Sequence, residues 1–153
     1  MQAGDIIFVG GNGPLDRLIR VFDHGPYNHV AIFVSDTEIL EAQYNTKVHV
    51  IKNPYHEPNY AIDVISMKMT DEQVAKLNKL KDQYLGEGYD FGEIFLIFLR
   101  LEFGIHLGQL NCPDEQVCSE LVARLLVGLD LADNKAIDLA PNELHKYLNK
   151  KGY

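Results

Sequence analysis

Cysteine, positive charge and long apolar runs are scarce in this chain. Two cysteines among 153 residues do not make the disulfide framework of a small secreted domain. Lys and Arg number 14 against 22 Asp and Glu, a formal net charge of −8, which argues against nucleic acid or an anionic membrane surface as the main partner. The most apolar run, Ile94 to Leu101, is interrupted by Arg100, followed by Glu102 and far too short to cross a bilayer. Met1-Gln2-Ala3-Gly4-Asp5 has no cationic region, and no long apolar stretch follows it, so no secretory signal is expected. The expected setting is therefore cytoplasmic or phage-associated. No repeat, linker or low-complexity segment breaks the chain.

What is present suits a globular protein. Hydrophobic residues make up 46% and charged residues 24%, and residues 1–153 are enough for one domain with a core that needs no staples. Five short apolar stretches come first: Gly4–Gly10, Asn28–Ser35, Glu38–Gln43, Thr46–Lys52 and Tyr60–Ser66. Each reads as a strand, and their tight spacing predicts a small, curved, mostly antiparallel sheet. Leu15, Leu18, Ile19 and Phe22 mark a short helix between the first two strands. After residue 66 the period changes. Thr70-Asp71-Glu72-Gln73 is a capping-box signature, followed by Val74, Leu77, Leu80 and Tyr84 as the apolar face of a helix ending near Gly86. Further helices are expected over about 91–102, from about Cys118, and from Pro141. Strands first and helices mostly after them give an α+β domain.

The stretch from Val117 to Leu126 carries the chemistry. Leu121, Val122, Leu125, Leu126 and Leu129 recur at helical spacing, with Gly128 placed to stop the helix. Cys118 falls in or beside the first turn, where unpaired backbone N–H groups and the helix dipole favour a thiolate. A cysteine on a Leu/Val-rich helix is equally at home as a small core residue, so its partners decide.

A cysteine nucleophile needs a base and a group to orient that base. Of the six histidines, His24, His56 and His145 lie in settings that suit solvated side chains. His106 sits in a Gly-rich connection, and His49 alternates with Val48 and Val50 in a pattern compatible with facing solvent. His29 stands at the start of an apolar strand, where a side chain can be held rigidly. Twelve residues on, Glu41 lies among Ile39, Leu40 and Ala42. A carboxylate there needs a hydrogen-bonding partner, and an imidazole nitrogen is a suitable one. Whether Glu41 faces the histidine depends on hairpin register, because one residue of slip reverses its face.

The segments GDIIFV, PYNHVAIFV, ILEA and VCSELVARLL resemble the circularly permuted, YiiX-like branch of the NlpC-type papain-like cysteine hydrolases, to which the lecithin:retinol acyltransferase group is related. In unpermuted members the cysteine helix precedes the histidine strand; here that order is rotated. The resemblance runs from Gly4 to Leu126 and implies a permuted papain-like fold. It implies Cys118 as nucleophile, His29 as base and Glu41 as the orienting residue. Tyr89, in GEGYDFG, resembles a tyrosine that assists the oxyanion in relatives, and the alternative is a loop residue packed on the sheet. The backbone N–H of Cys118 itself, at a helix start, is expected to be the main oxyanion donor, ahead of Tyr89.

The expected activity is that of a cysteine peptidase or amidase using a thioester acyl-enzyme. Its substrate would be a peptide, amide or acyl compound, with peptidoglycan stem peptides the class the superfamily implies. Two alternatives stay open: a lipid acyl hydrolase or transferase, and a non-catalytic binding or virion module that keeps the fold. No cofactor or metal is expected, since the five residues between Cys112 and Cys118 exceed the usual zinc-site spacing.

Overall fold

The computed structural model describes residues 1–11, 25–42, 47–87 and 118–153. All five expected strands are present: β1 (Ile6–Gly10), β2 (His29–Phe33), β3 (Glu38–Glu41), β4 (His49–Lys52) and β5 (Ala61–Ile65). They form one sheet in the order β4-β3-β2-β1-β5, and every neighbouring pair is antiparallel. The helices are α1 (Asp71–Tyr84), α2 (Cys118–Gly128) and α3 (Pro141–Lys151), with a 3-10 turn at Asn134–Ala136. The helices expected around residues 15–22 and 91–102 lie outside the described residues.

β1 and β2 are apolar throughout because both of their faces are covered. Alternate residues divide between two clusters. Ile6, Phe8, Val30, Ile32 and Leu40 pack with Leu121, Val122, Leu125 and Leu126 of α2 and with Leu144 and Leu148 of α3. Ile7, Val9, Ala31, Phe33 and Ile39 point to the other face, where Tyr55 joins them. The sheet is therefore the middle layer of two cores, and a period-2 pattern is invisible in its centre.

The helix ends show local chemistry. Gln73 N–H donates to Thr70 Oγ1 at 3.3 Å and Thr70 N–H to Gln73 Oε1 at 2.9 Å, which completes the capping box expected for α1. Gly86, at φ 89°, turns the chain away just beyond that helix, a conformation an L side chain resists. Gly128 behaves differently from expectation. It remains helical, and the left-handed residue is Asp130, at φ 61°. What Gly128 supplies is room, since a Cβ there would stand 2.9 Å from Leu80 Cδ1 of α1.

Candidate active site

Three strands and one loop converge on Glu41. β3 ends at this residue, and the β2–β3 register pairs Ile32 with Leu40 and Phe33 with Ile39. Extending that register by one step sets Ala31 opposite Glu41, so His29 lies diagonally across on the same face, within side-chain reach. The Glu41 side chain is fully buried, and its Oε2 sits 2.8 Å from His29 Nε2. The Tyr55 hydroxyl donates to the same oxygen at 2.7 Å. On the other side β4 pairs His49 directly opposite Glu41, placing His49 Nε2 at 3.4 Å from Oε1.

Cys118 is the first described residue of α2 and is buried, with a free thiol. It lies close enough to the His29 ring to raise the imidazole pKa. The imidazole of His29 thus has Glu41 at Nε2 and Cys118 as a second close neighbour.

The electrostatics follow from that arrangement. Burial penalises the charged form of His29, but the bond to Cys118 and then the bond to Glu41 outweigh it and push the imidazole up to about 10. Burial alone would raise the Glu41 carboxyl; the His29 hydrogen bond, followed by those of its other partners, holds it below the ordinary carboxylate range. Burial and the Glu41 charge drive the Tyr55 phenol upward, so it stays a donor to the carboxylate. The cluster favours a carboxylate, an imidazolium and an intact phenol at neutral pH.

The segment leading into His29 is fastened at several points. Asn28 N–H donates to the Val9 carbonyl at 3.0 Å, and Asn28 Oδ1 accepts from Gly11 N–H at 2.7 Å. Asn142, in the first turn of α3, accepts from Tyr27 N–H at 3.0 Å and donates to the Tyr27 carbonyl at 2.6 Å. Gly25 lies so close to the Asn142 carboxamide that a Cβ would overlap it. The rigidity expected of His29 at the sheet rim thus comes partly from the C-terminal helix.

Of the expected site residues, Cys118, His29 and Glu41 are brought together. Tyr89 lies outside the described residues, as does Cys112. Sequence reasoning missed Tyr55, which looked like one residue of a Pro-rich loop, and left His49 as compatible with solvent, whereas it faces the buried carboxylate. His145 is likewise no solvated side chain: Nε2 lies 2.6 Å from Asp63 Oδ2 and the ring packs at 4.9 Å against both Phe8 and Tyr27.

No family model matches the chain, and no curated protein does. Among solved structures it is similar to the metalloprotein YiiX of Escherichia coli O157:H7, with a TM-score of 0.54 and 18% identity, over 94% of this chain and 91% of that one. At that identity the likeness shows a shared fold, an α+β arrangement of the YiiX kind. YiiX is described as a metalloprotein. In this chain, no group of three or more His, Cys, Asp or Glu among the described residues is placed to hold a metal ion. Among the described residues, no helix is long and apolar enough to cross a membrane.

Proposed function

We propose that this chain is a cysteine-dependent hydrolase that cleaves amide or ester bonds through a thioester acyl-enzyme. The observation that carries the reading is the imidazole of His29, paired at 2.8 Å with a fully buried carboxylate and raised by the neighbouring buried Cys118. A structural cysteine needs neither neighbour.

The Cys118 thiol proton passes to His29, and the sulfur attacks the substrate carbonyl carbon. Glu41 holds the ring orientation and stabilises the imidazolium. The first N–H groups of α2 have no acceptor within their own helix; that of Cys118 lies where the carbonyl oxygen becomes an oxyanion. Collapse breaks the C–N or C–O bond, and the leaving amine or alcohol takes the proton from His29. Water then gives a proton to His29 and attacks the thioester, releasing the acid and restoring the thiol. Peptide amides are the leading substrate class, peptidoglycan stem peptides first among them, with lipid acyl esters second. The resemblance to papain-like cysteine hydrolases supports that order.

The test is alkylation of Cys118, followed by mass spectrometry across pH in wild type and in His29→Ala. Cys118 should react rapidly at pH 6–7, where an ordinary thiol of pKa about 8.5 is mostly protonated, and His29→Ala should remove that reactivity. Cys118→Ala should lower hydrolysis of a responsive amide or ester by at least about a thousandfold with an unchanged circular dichroism spectrum. Reactivity indifferent to His29 would make Cys118 a core cysteine and end the proposal.

A further inference from the structure

Glu41 has two oxygens, and the triad uses one. Oε2 receives His29 and Tyr55, whereas Oε1 is buried without a hydrogen bond among the described residues. His49 Nε2 lies 3.4 Å from Oε1, in ion-pair contact but out of hydrogen-bond alignment. The other nitrogen of that ring, Nδ1, is 2.6 Å from the Lys47 carbonyl. A carbonyl only accepts, so Nδ1 carries the hydrogen. In the neutral ring Nε2 is then bare, and it meets Oε1 lone pair to lone pair. With a second proton, Nε2 becomes a donor aimed at the buried oxygen.

We propose that His49 is a second positioning residue for Glu41, clamping Oε1 when its ring is doubly protonated and releasing that oxygen when the ring is neutral. The proposal rests on the reading of Cys118, His29 and Glu41 as a catalytic triad. Among the described residues, the carboxylate in ion-pair contact with the ring is Glu41. β3 also carries Glu38, but Glu38 pairs opposite Lys52 at the far end of the β3–β4 ladder. The loop after α1 meets this edge through backbone, with Val48 N–H donating to the Glu87 carbonyl and Gly86 N–H to the Val48 carbonyl. Lys47 is exposed, and His29 and Tyr55 lie beyond Glu41. A clamped carboxylate fixes the direction of the His29 ring, and that direction governs the readiness of the Cys118 thiolate.

The experiment follows histidine ring nitrogens of the full-length protein by NMR, alongside iodoacetamide alkylation of Cys118, over about pH 5 to 9. The His49 signals are identified by their loss in His49→Gln. At the alkaline end they should report the Nδ1–H tautomer, and the Nε2 shift should respond to Glu41→Gln. The alkylation rate should step down about three- to tenfold, the worth of one net hydrogen bond, as His49 loses its proton. His49→Gln, whose amide donates at every pH, should remove the step and keep the higher rate. His49→Leu should remove the step and keep the lower rate. An Nε2–H tautomer, a step that survives both substitutions, or equal rates in the two variants would overturn the proposal. A Cys118 reactivity that ignores His29 would instead fail the triad, while the His49 tautomer and its response to Glu41→Gln would still report on the clamp.

Discussion

Two histidine–carboxylate pairs sit on opposite faces of the same sheet, and they differ in almost everything except distance. His29 meets Glu41 at 2.8 Å with side-chain exposures of 12% and 0%. His145 meets Asp63 at 2.6 Å with exposures of 21% and 45%. The first pair is buried, shares its carboxylate with a tyrosine, and presents its ring to a thiol. The second is half in water, and its ring meets Phe8 edge-on and Tyr27 at a tilt. A short N–O contact is therefore a poor marker of a site. What separates the two is whether burial makes the charge expensive to leave unpaired and whether a thiol stands close to the imidazole.

The comparison can be broken most directly at Glu41. Glu41→Gln keeps the shape and removes the charge, and it should slow neutral-pH alkylation of Cys118 by roughly a hundredfold. The pH dependence has a definite sign. His29 is raised from 6.5 to about 10, so its stabilising contribution is complete below about pH 6.5 and is lost as pH rises through about 10. Glu41 is lowered, so its contribution is present above about 4.5, the ordinary carboxylate value, and is lost as pH falls through its folded value. The pair is thus intact across the neutral range. NMR should find no His29 titration between pH 6.5 and 8.5 in wild type, and a midpoint shifted downward in Glu41→Gln. An unmoved His29 would make the two pairs equivalent.

Asn142 sharpens the contrast, because it acts on the buried pair from outside it. Asn142→Ala strips donor and acceptor from the Tyr27 peptide and should cost about 1–3 kcal/mol of stability by urea unfolding. Alkylation of Cys118 should also slow in that variant, since the segment that aims His29 loses its anchor. Smallest is the effect of breaking the second pair. Asp63→Asn should change stability by about 0.2–1 kcal/mol, as exposed ion pairs do, and leave the Cys118 alkylation profile where it was. A large loss of Cys118 reactivity there would give the exposed pair a role in the site.

The sequence made most of this arrangement legible, and the exceptions share a cause. All five strands could be read because apolar stretches and turn residues are local signals, and α1 announced itself through Thr70 and Gln73. His29 and Glu41 stood out because each interrupts an apolar strand. Tyr55 carried no such mark, for its burial depends on the 53–60 loop folding over a strand face that periodicity alone does not specify. His49 was ambiguous because facing is a property of register, and the register is fixed by the Glu41–His49 pairing itself. Asn142 bonds across 115 residues of sequence, beyond any local pattern. Gly128 looked like a helix stop from its position, but the space it leaves for Leu80 is a fact of helix packing.

The Asn142 clamp also gives the molecule a clock. At about 5–20 residues per second of synthesis, the 115 residues that separate Tyr27 from Asn142 take roughly 6 to 23 s to make. His29 is in the chain long before Cys118, and Asn142, which fastens the segment before His29, comes later still. The contact that fastens the segment before His29 is therefore completed only after both His29 and Cys118 are in the chain.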